Sequence, residues 1–324
     1  MRLSLFALIL CLAAGSPFGA HGQIAFTNAT DKLPGRPFVG FLSKGIADVN
    51  GDGLDDIVRT HSRSKELSVL FQSPQGDFSS TLLSTLKIEP IATVVGDVDK
   101  NHQNDILTAG FFDGVTIRYN QGAGFVADTI RSPKIWMQGA NLADIDNDGW
   151  LDFFGCNDVG LNQIWKNDRT GKFLPVTSWI DMRTVPTSDN SGNYGSVWSD
   201  IDNDGDLDLY LAKCSMYAMG AANAADPRRI NQLFVNHTYD RVNGQLIKNN
   251  ANFSLDPTNW FSEAAASANV KISGQSWTAD FADIDNDGDQ DLLVTNHESP
   301  TMLLENDGTG HFTDITTQSG IMGW

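Results

Sequence analysis

The chain has 324 residues, the length of about two average domains or of one large repetitive domain. It carries 22 basic and 40 acidic residues, 35 of the acids being aspartate, and its net charge is −18. This composition disfavours a helical solenoid or a coiled coil, which would use glutamate. It also disfavours nucleic-acid binding, because an acidic surface repels phosphates.

The first 22 residues have the pattern of an export signal. Arg2 supplies the positive start, and Leu3–Ala14 is an apolar run that is too short to span a bilayer. Ala20–Gly22 is a small-x-small cleavage site, so Gln23 is the expected mature N-terminus. We therefore expect a signal peptide over residues 1–22, no transmembrane segment, and secretion to the medium or the cell surface.

The mature chain has two cysteines, Cys156 and Cys214. Two cysteines exclude a disulfide-dense scaffold. Two alternatives stay open: a single bridge formed in an oxidising compartment, or two buried free thiols.

An internal repeat dominates the rest of the sequence. A nine-residue pattern, Asp-x-Asx-x-Asx-Gly-x-x-Asp, begins at Asp48, Asp97, Asp144, Asp200 and Asp283. We call these copies loops one to five. Loop two is degenerate, with asparagine at position five and histidine in place of glycine at position six.

Strand-like runs flank every loop, and each is followed by a second hairpin made of an apolar run, a Gly/Asn/Asp turn and a strand begun by Phe. Four strands repeated at about 50 residues are typical of a propeller blade. The sequence thus predicts an all-β propeller over residues 23–324. Its blades are expected near residues 40–85, 90–130, 138–180, 195–267 and 277–317.

The loops have the chemistry of a calcium site. Alternate spacing directs positions one, three and five to one point, position seven offers its backbone carbonyl, and Asp at position nine closes the cage. Hard oxygen donors suit Ca²⁺ better than Zn²⁺ or Cu²⁺, and Mg²⁺ prefers more water. The predicted ligand positions are Asp48, Asn50, Asp52, Leu54 and Asp56; Asp97, Asp99, Asn101, Gln103 and Asp105; Asp144, Asp146, Asp148, Trp150 and Asp152; Asp200, Asp202, Asp204, Asp206 and Asp208; and Asp283, Asp285, Asp287, Asp289 and Asp291.

The loops have two alternative interpretations. An EF-hand needs Glu at position twelve between two helices, and neither feature is present. An Asp-rich surface turn without metal is the second alternative, and it has most weight for loop two. We expect four calcium sites and a fifth, weaker one at residues 97–105.

These loops resemble the FG-GAP/VCBS repeat family, the calcium-loop propeller repeats also seen in integrin α-subunit heads. The resemblance covers about residues 41–317 and implies side-chain ligands at positions one, three, five and nine. A closer resemblance, to secreted bacterial proteins related to cartilage acidic protein, rests on Lys213-Cys214, Asp226–Asn231 and Gln275–Phe281. Those proteins usually carry an ASPIC/UnbV domain after a propeller that commonly has seven blades. Only five blades and no such domain are found here, so we expect an incomplete propeller.

The N-terminus bears on closure of the propeller. Gln23–Thr30 resembles the outer strand at Phe312–Thr316, although the fifth blade already has that strand. We therefore expect an open arc of five blades with an unpaired edge.

Catalysis has little support in the sequence, since no nucleophile elbow, zinc-protease motif, phosphate loop or dinucleotide fingerprint is found. The spacing before loop five hides an insertion, Ser215–Arg229. There Arg228 and Arg229 either hold a carboxylate or an anionic sugar, or pair with nearby aspartates. The favoured function is a calcium-stabilised binding or adhesion scaffold for a protein or glycan, without chemistry of its own. The alternative is a carbohydrate-active propeller, either a lectin or a polysaccharide lyase.

Overall fold

The computed structural model describes residues 32–34, 44–61, 64–87, 90–112, 114–130, 135–215, 223–242, 245–248 and 260–321. The predicted signal peptide, the segment Gln23–Thr30 and Trp324 lie outside these residues. Within them the protein is almost entirely β, with a single short α-helix, α1 (Thr316–Ser319). No helix in the described part of the chain is long and apolar enough to cross a membrane.

Five four-stranded antiparallel sheets follow one another along the chain. The first contains β1 (Lys44–Ala47), β2 (Asp56–His61), β3 (Glu66–Gln72) and β4 (Phe78–Thr85). The second contains β5 (Ala92–Gly96), β6 (Asp105–Ala109), β7 (Val115–Asn120) and β8 (Phe125–Ile130). The third contains β9 (Met137–Ala143), β10 (Asp152–Asn157), β11 (Gln163–Asn167) and β12 (Phe173–Pro175).

The fourth sheet begins with β13 (Asn193–Ser199), β14 (Asp208–Lys213) and β15 (Gln232–Asn236). A separate hairpin, β16 (Tyr239–Val242) and β17 (Gln245–Lys248), precedes its last strand, β18 (Phe261–Glu263). The fifth contains β19 (Ser276–Ala282), β20 (Asp291–Asn296), β21 (Met302–Asn306) and β22 (Phe312–Asp314). The predicted blades are confirmed as five four-stranded sheets, and the extra hairpin accounts for part of the long spacing before loop five.

The hydrophobic core lies between the sheets rather than within one of them. Four clusters of buried side chains fill the four junctions between consecutive sheets. In the third sheet, Trp165 and Phe153 face the second sheet, whereas Phe154 and Ile164 face the fourth. Both faces of a central strand are therefore covered, and every residue of β10 is buried. This explains why the second strands have continuous apolar runs instead of alternating patterns.

The first strands of consecutive sheets approach one another most closely, β1 meeting β5, then β9, β13 and β19. Glycine permits this approach, since a Cβ at Gly139 would lie 2.7 Å from the carbonyl oxygen of Tyr194. At Gly195 it would lie 2.9 Å from that of Trp277. Among the described residues no comparable contact joins β19 to β1. The sheets form an open succession, in agreement with the predicted incomplete propeller.

The structure shows what surrounds the two cysteines and the two arginines of the insertion. Cys156 and Cys214 are both buried free thiols, so the structure shows the free-thiol alternative rather than the disulfide bridge. Arg228 pairs with Asp226 at 2.7 Å and with Asp189 at 3.2 Å, and the buried Arg229 pairs with Glu298. Pairing with acidic residues of the chain is therefore the alternative that holds for both arginines.

Candidate metal centres

All five acidic loops join the first strand of a sheet to its second strand, so they lie at the same end of the sheets. In loop three, Asp144 Oδ1 accepts a hydrogen bond from Asp148 N at 2.9 Å, and its Oδ2 accepts one from Gly149 N at 2.7 Å. The same two bonds, from positions five and six to position one, recur in the other four loops. The first aspartate of the motif thus closes the turn through the backbone.

Two positions of every loop adopt the left-handed backbone conformation. At position six the four glycines have φ between 83° and 99°, and His102 has φ of 66°. Position four is also left-handed, with φ from 55° to 77°, and it is asparagine in three loops. Asparagine tolerates this conformation better than other residues with a side chain. Loop two therefore keeps the shared backbone path without its glycine, at some cost in strain.

The aspartate at position nine holds three elements together. Asp152 Oδ2 accepts from Ile145 N in the loop at 3.1 Å, while Oδ1 accepts from Asn167 N at the end of β11 at 2.8 Å. The equivalent pair is present in all five sheets, and all five carboxylates are buried. Position nine is thus a structural residue as well as a predicted ligand.

An asparagine at the end of the third strand joins each blade to the one before it. Its Nδ2 donates to the carbonyl of position two in the preceding loop. We call these residues the blade-to-blade asparagines. The distances from Nδ2 to the carbonyl oxygen are 2.8 Å for Asn120 and Val49, 2.8 Å for Asn167 and Val98, 3.4 Å for Asn236 and Ile145, and 2.8 Å for Asn306 and Ile201. The metal loops and the blade junctions therefore share one hydrogen-bond network, which sequence reasoning missed.

Positions one, three and nine converge in four of the loops. One carboxylate oxygen from each lies within 4.8 Å of the other two. The triads are Asp97, Asp99 and Asp105; Asp144, Asp146 and Asp152; Asp200, Asp202 and Asp208; and Asp283, Asp285 and Asp291. Three carboxylate oxygens at this spacing can hold one hard divalent cation.

The other predicted ligands have different local roles. At position five the side-chain oxygen accepts from the backbone N–H of position seven in every loop, as in Asp148 to Trp150 at 3.0 Å. At position seven, Asp206 accepts from Tyr239 N at 2.8 Å and Asp289 accepts from Asn203 Nδ2 at 2.6 Å. The position-seven carboxylates therefore brace neighbouring segments.

Loops one and two differ in how many carboxylates they bring together. Loop two, expected to be the weakest, brings three carboxylates together like loops three to five. Loop one has Asn50 at position three, and that amide bonds to its own loop, donating to Asp52 Oδ2 and accepting from Asp52 N. The asparagine at position three therefore matters more to the number of gathered carboxylates than the histidine at position six.

A model of the FG-GAP-like repeat family matches residues 48–108, 144–211 and 283–324, just over half of the chain. The chain belongs to the FG-GAP-like repeat family. All five acidic loops fall wholly within the matched regions, loop two included. No curated protein matches the chain.

Solved structures are similar to this chain at low sequence identity. A lectin from Agrocybe aegerita, described as recognising non-reducing terminal N-acetylglucosamine, is 19% identical with a TM-score of 0.51, over 83% of this chain and 63% of the lectin. The chain thus spans less than two thirds of that lectin. BBS1N in complex with ARL6DN is 10% identical with a TM-score of 0.48, over 85% and 69% of the two chains. The Vibrio cholerae biofilm matrix protein Bap1 is 13% identical with a TM-score of 0.42, over 84% and 38%.

The electrostatics of the acidic loops favour a bound cation. Burial raises the pKa of Asp152 to about 7 and that of Asp105 to about 6, and hydrogen bonds from the backbone only partly oppose this. In loop four, burial and neighbouring carboxylates raise the pKa of both Asp204 and Asp206, and burial raises that of Asp208 well above its usual range. A divalent cation would offset both effects, because it attracts the ionised forms.

Loop three has a cation of its own. The Lys166 ammonium, on β11, contacts the carboxylates of Asp146 and Asp148, the latter at 2.8 Å. Arg169 Nε lies 3.1 Å from the same Asp148 carboxylate. Burial lowers the pKa of Lys166, but the two carboxylates outweigh it and the pKa is raised. The ammonium therefore competes for two positions of the loop that are predicted to bind metal.

The donor chemistry fits calcium. Within the described residues, Asp146 Oδ1 and Asp206 Oδ1 are buried and accept no hydrogen bond, which is costly for a carboxylate unless a cation is close by. All side chains in the four triads offer carboxylate oxygen, and none offers sulfur or imidazole. This set suits Ca²⁺ and is poor for Zn²⁺ or Cu²⁺.

Proposed function

We propose that the protein is a secreted calcium-binding propeller that acts as a binding or adhesion scaffold and performs no catalysis itself. The observation that carries the proposal is the recurrence of the Asp triads at one end of consecutive blades. The buried position-nine aspartate links each triad to the third strand, so a bound ion would fix the loop and its sheet together.

A structural role for calcium accounts for the number of sites. Extracellular calcium modules bind with Kd near ~10⁻⁴ to 10⁻³ M. At millimolar Ca²⁺ and a Kd of about 10⁻⁴ M, linkage adds about 1.4 kcal/mol for each site. Four triads would then contribute about 6 kcal/mol, which is comparable to the whole stability of an ordinary domain.

The test is thermal unfolding of the full chain with calcium or with EDTA. Chelation should lower the melting temperature by about 10 °C or more, since 1 kcal/mol shifts a domain of this size by about 2–4 °C. Returning Ca²⁺ should restore the melting temperature, whereas Mg²⁺ should restore little of it, because it prefers to keep its water. Identical melting curves in calcium and EDTA would refute the calcium proposal.

The scaffold proposal includes an unidentified protein or glycan partner, and the resemblance to cartilage-acidic-protein-like proteins with an ASPIC/UnbV domain is part of it. A carbohydrate-binding function is the second candidate. It is supported by the shared fold with the Agrocybe aegerita lectin, whose described ligand is a terminal N-acetylglucosamine. At 19% identity this likeness concerns the fold, and the sugar specificity of that lectin is not carried over.

A further inference from the structure

A large cavity lies beside the fourth sheet, away from the acidic loops. It has a volume of about 720 Å³, within the 300–1,000 Å³ range of small-molecule sites. Its walls come from the linker 181–187, the segment 227–231, β15, β18 and Lys271. We call it the fourth-blade pocket. Both wall segments outside the sheet are absent from the repeat, and long non-repeated segments in a compact fold are often functional.

A buried side-chain oxygen in this pocket has no hydrogen-bond partner among the described residues. Gln232, the first residue of β15, is 8% exposed, and its Oε1 is buried without a hydrogen bond. Leaving such a group unsatisfied destabilises the folded protein. A ligand that hydrogen-bonds to the amide would recover this energy.

The equivalent glutamine in the third blade has a hydroxyl partner that Gln232 lacks. Gln163, at the first position of β11, donates from Nε2 to the Leu161 carbonyl and accepts from Thr177 Oγ1 at 3.0 Å. Strand pairing makes Ala265 the equivalent of Thr177, because Trp165 pairs with Pro175 and Phe234 pairs with Glu263. The fourth blade thus keeps the glutamine and lacks the hydroxyl that would occupy it.

The remaining walls define the chemistry of the occupant. Phe234 and Phe261 are among the lining residues, but they are core side chains only 1% and 7% exposed, so they present little more than an apolar edge to the cavity. The charges in the walls cancel: Asp181 holds Arg183 through two hydrogen bonds of 2.7 and 2.5 Å, and Glu263 and Lys271 carry one charge each. A balanced pocket favours neither an anion nor a cation. An uncharged balance with one hydrogen-bonding amide matches a neutral sugar, which offers a rim of hydroxyl groups.

We propose that the fourth-blade pocket binds a neutral oligosaccharide, held by a hydrogen bond to the Gln232 amide. The inference rests on the second candidate function stated above and gives it a location and a ligand class. The calcium sites and this pocket share no residue, so each can fail without the other.

The test uses the calcium-loaded full chain on a printed array of neutral and anionic oligosaccharides, with affinities for the strongest neutral ligand then measured by calorimetry. Gln232→Leu should weaken that affinity about tenfold or more, the loss expected for one buried hydrogen-bonding group. Gln163→Leu is the matched control and should bind like the parent. Melting curves check that both variants fold.

Ala265→Ser keeps Gln232 and supplies the missing hydroxyl, so it should also weaken sugar binding by engaging the amide. This variant keeps the test informative if Gln232→Leu does not fold. Binding of anionic sugars only, of no sugar, or of peptides in their place would overturn the proposal. Equal affinities for the parent and Gln232→Leu would do the same. The calcium-dependent melting shift would persist in each case, which separates this failure from failure of the calcium proposal.

Discussion

Replacing Lys166 with methionine should make loop three bind calcium more tightly. The lysine contacts Asp146 and Asp148, whose side chains are 11% and 8% exposed, while its own is 25% exposed. A calcium ion that uses these carboxylates must displace the ammonium. Each partly exposed ion pair is worth about 0.5–1 kcal/mol after solvent screening. The two pairs together amount to about 1.4 kcal/mol, which corresponds to a tenfold change in Kd.

Terbium, a luminescent substitute for Ca²⁺, can report on this loop, because Trp150 occupies its position seven and can sensitise the bound ion. The signal from loop three is the part that disappears in Trp150→Phe. Titration of Lys166→Met should show a tenfold lower Kd for that part. Lys172→Met, an exposed lysine in the next turn, changes the net charge equally and should leave the Kd unchanged. Equal Kd values for the two lysine variants, or weaker binding by Lys166→Met, would refute the competition argument.

Two further predictions concern the network behind the loops. Asn167→Ala should lower the free energy of unfolding, measured by urea denaturation, by about 3 kcal/mol, because two carbonyls and two N–H groups lose their partner. The control is Gln72→Ala, at the equivalent position of the first sheet, which should lower the free energy of unfolding by under about 1 kcal/mol. Asp291→Ala should lower the melting temperature even in EDTA, because its carboxylate accepts hydrogen bonds from two backbone N–H groups. Asp285→Ala should lower the melting temperature only in calcium. A larger loss for Asp285→Ala than for Asp291→Ala in EDTA would contradict the assigned roles.

The repeat made most of the fold predictable from the sequence. Nine residues with a fixed pattern recur five times, and each copy must meet the same backbone demands, so the loop and its flanking strands could be located directly. The strand pairs around Asp144 and Asp283 lie where the apolar runs place them. The segments between β14 and β18 have no second copy in the chain, and neither the extra hairpin β16–β17 nor the fourth-blade pocket was predicted.

The weaker affinity expected of loop two stays a prediction, and the structure shows how its carboxylates still converge. Sequence reasoning gave weight to His102 because it replaces a glycine, yet its backbone adopts the left-handed conformation and its N–H still bonds to Asp97. A signal for this tolerance was present, since position four is left-handed too and is often asparagine. The role of Asn167 was hidden, because its partner Val98 lies 69 residues away and no spacing rule connects them.

The blade-to-blade asparagines also set an order of assembly. The Val98 carbonyl receives its donor from Asn167, and the Ile201 carbonyl waits for Asn306, 105 residues later in the chain. Translation at about 5–20 residues per second delays each partner by several seconds. During that interval the newest blade has one apolar face uncovered and one loop carbonyl unpaired. Each blade is completed only by its successor, so the nascent protein always has one unfinished blade at its growing end, where unwanted association between chains would begin.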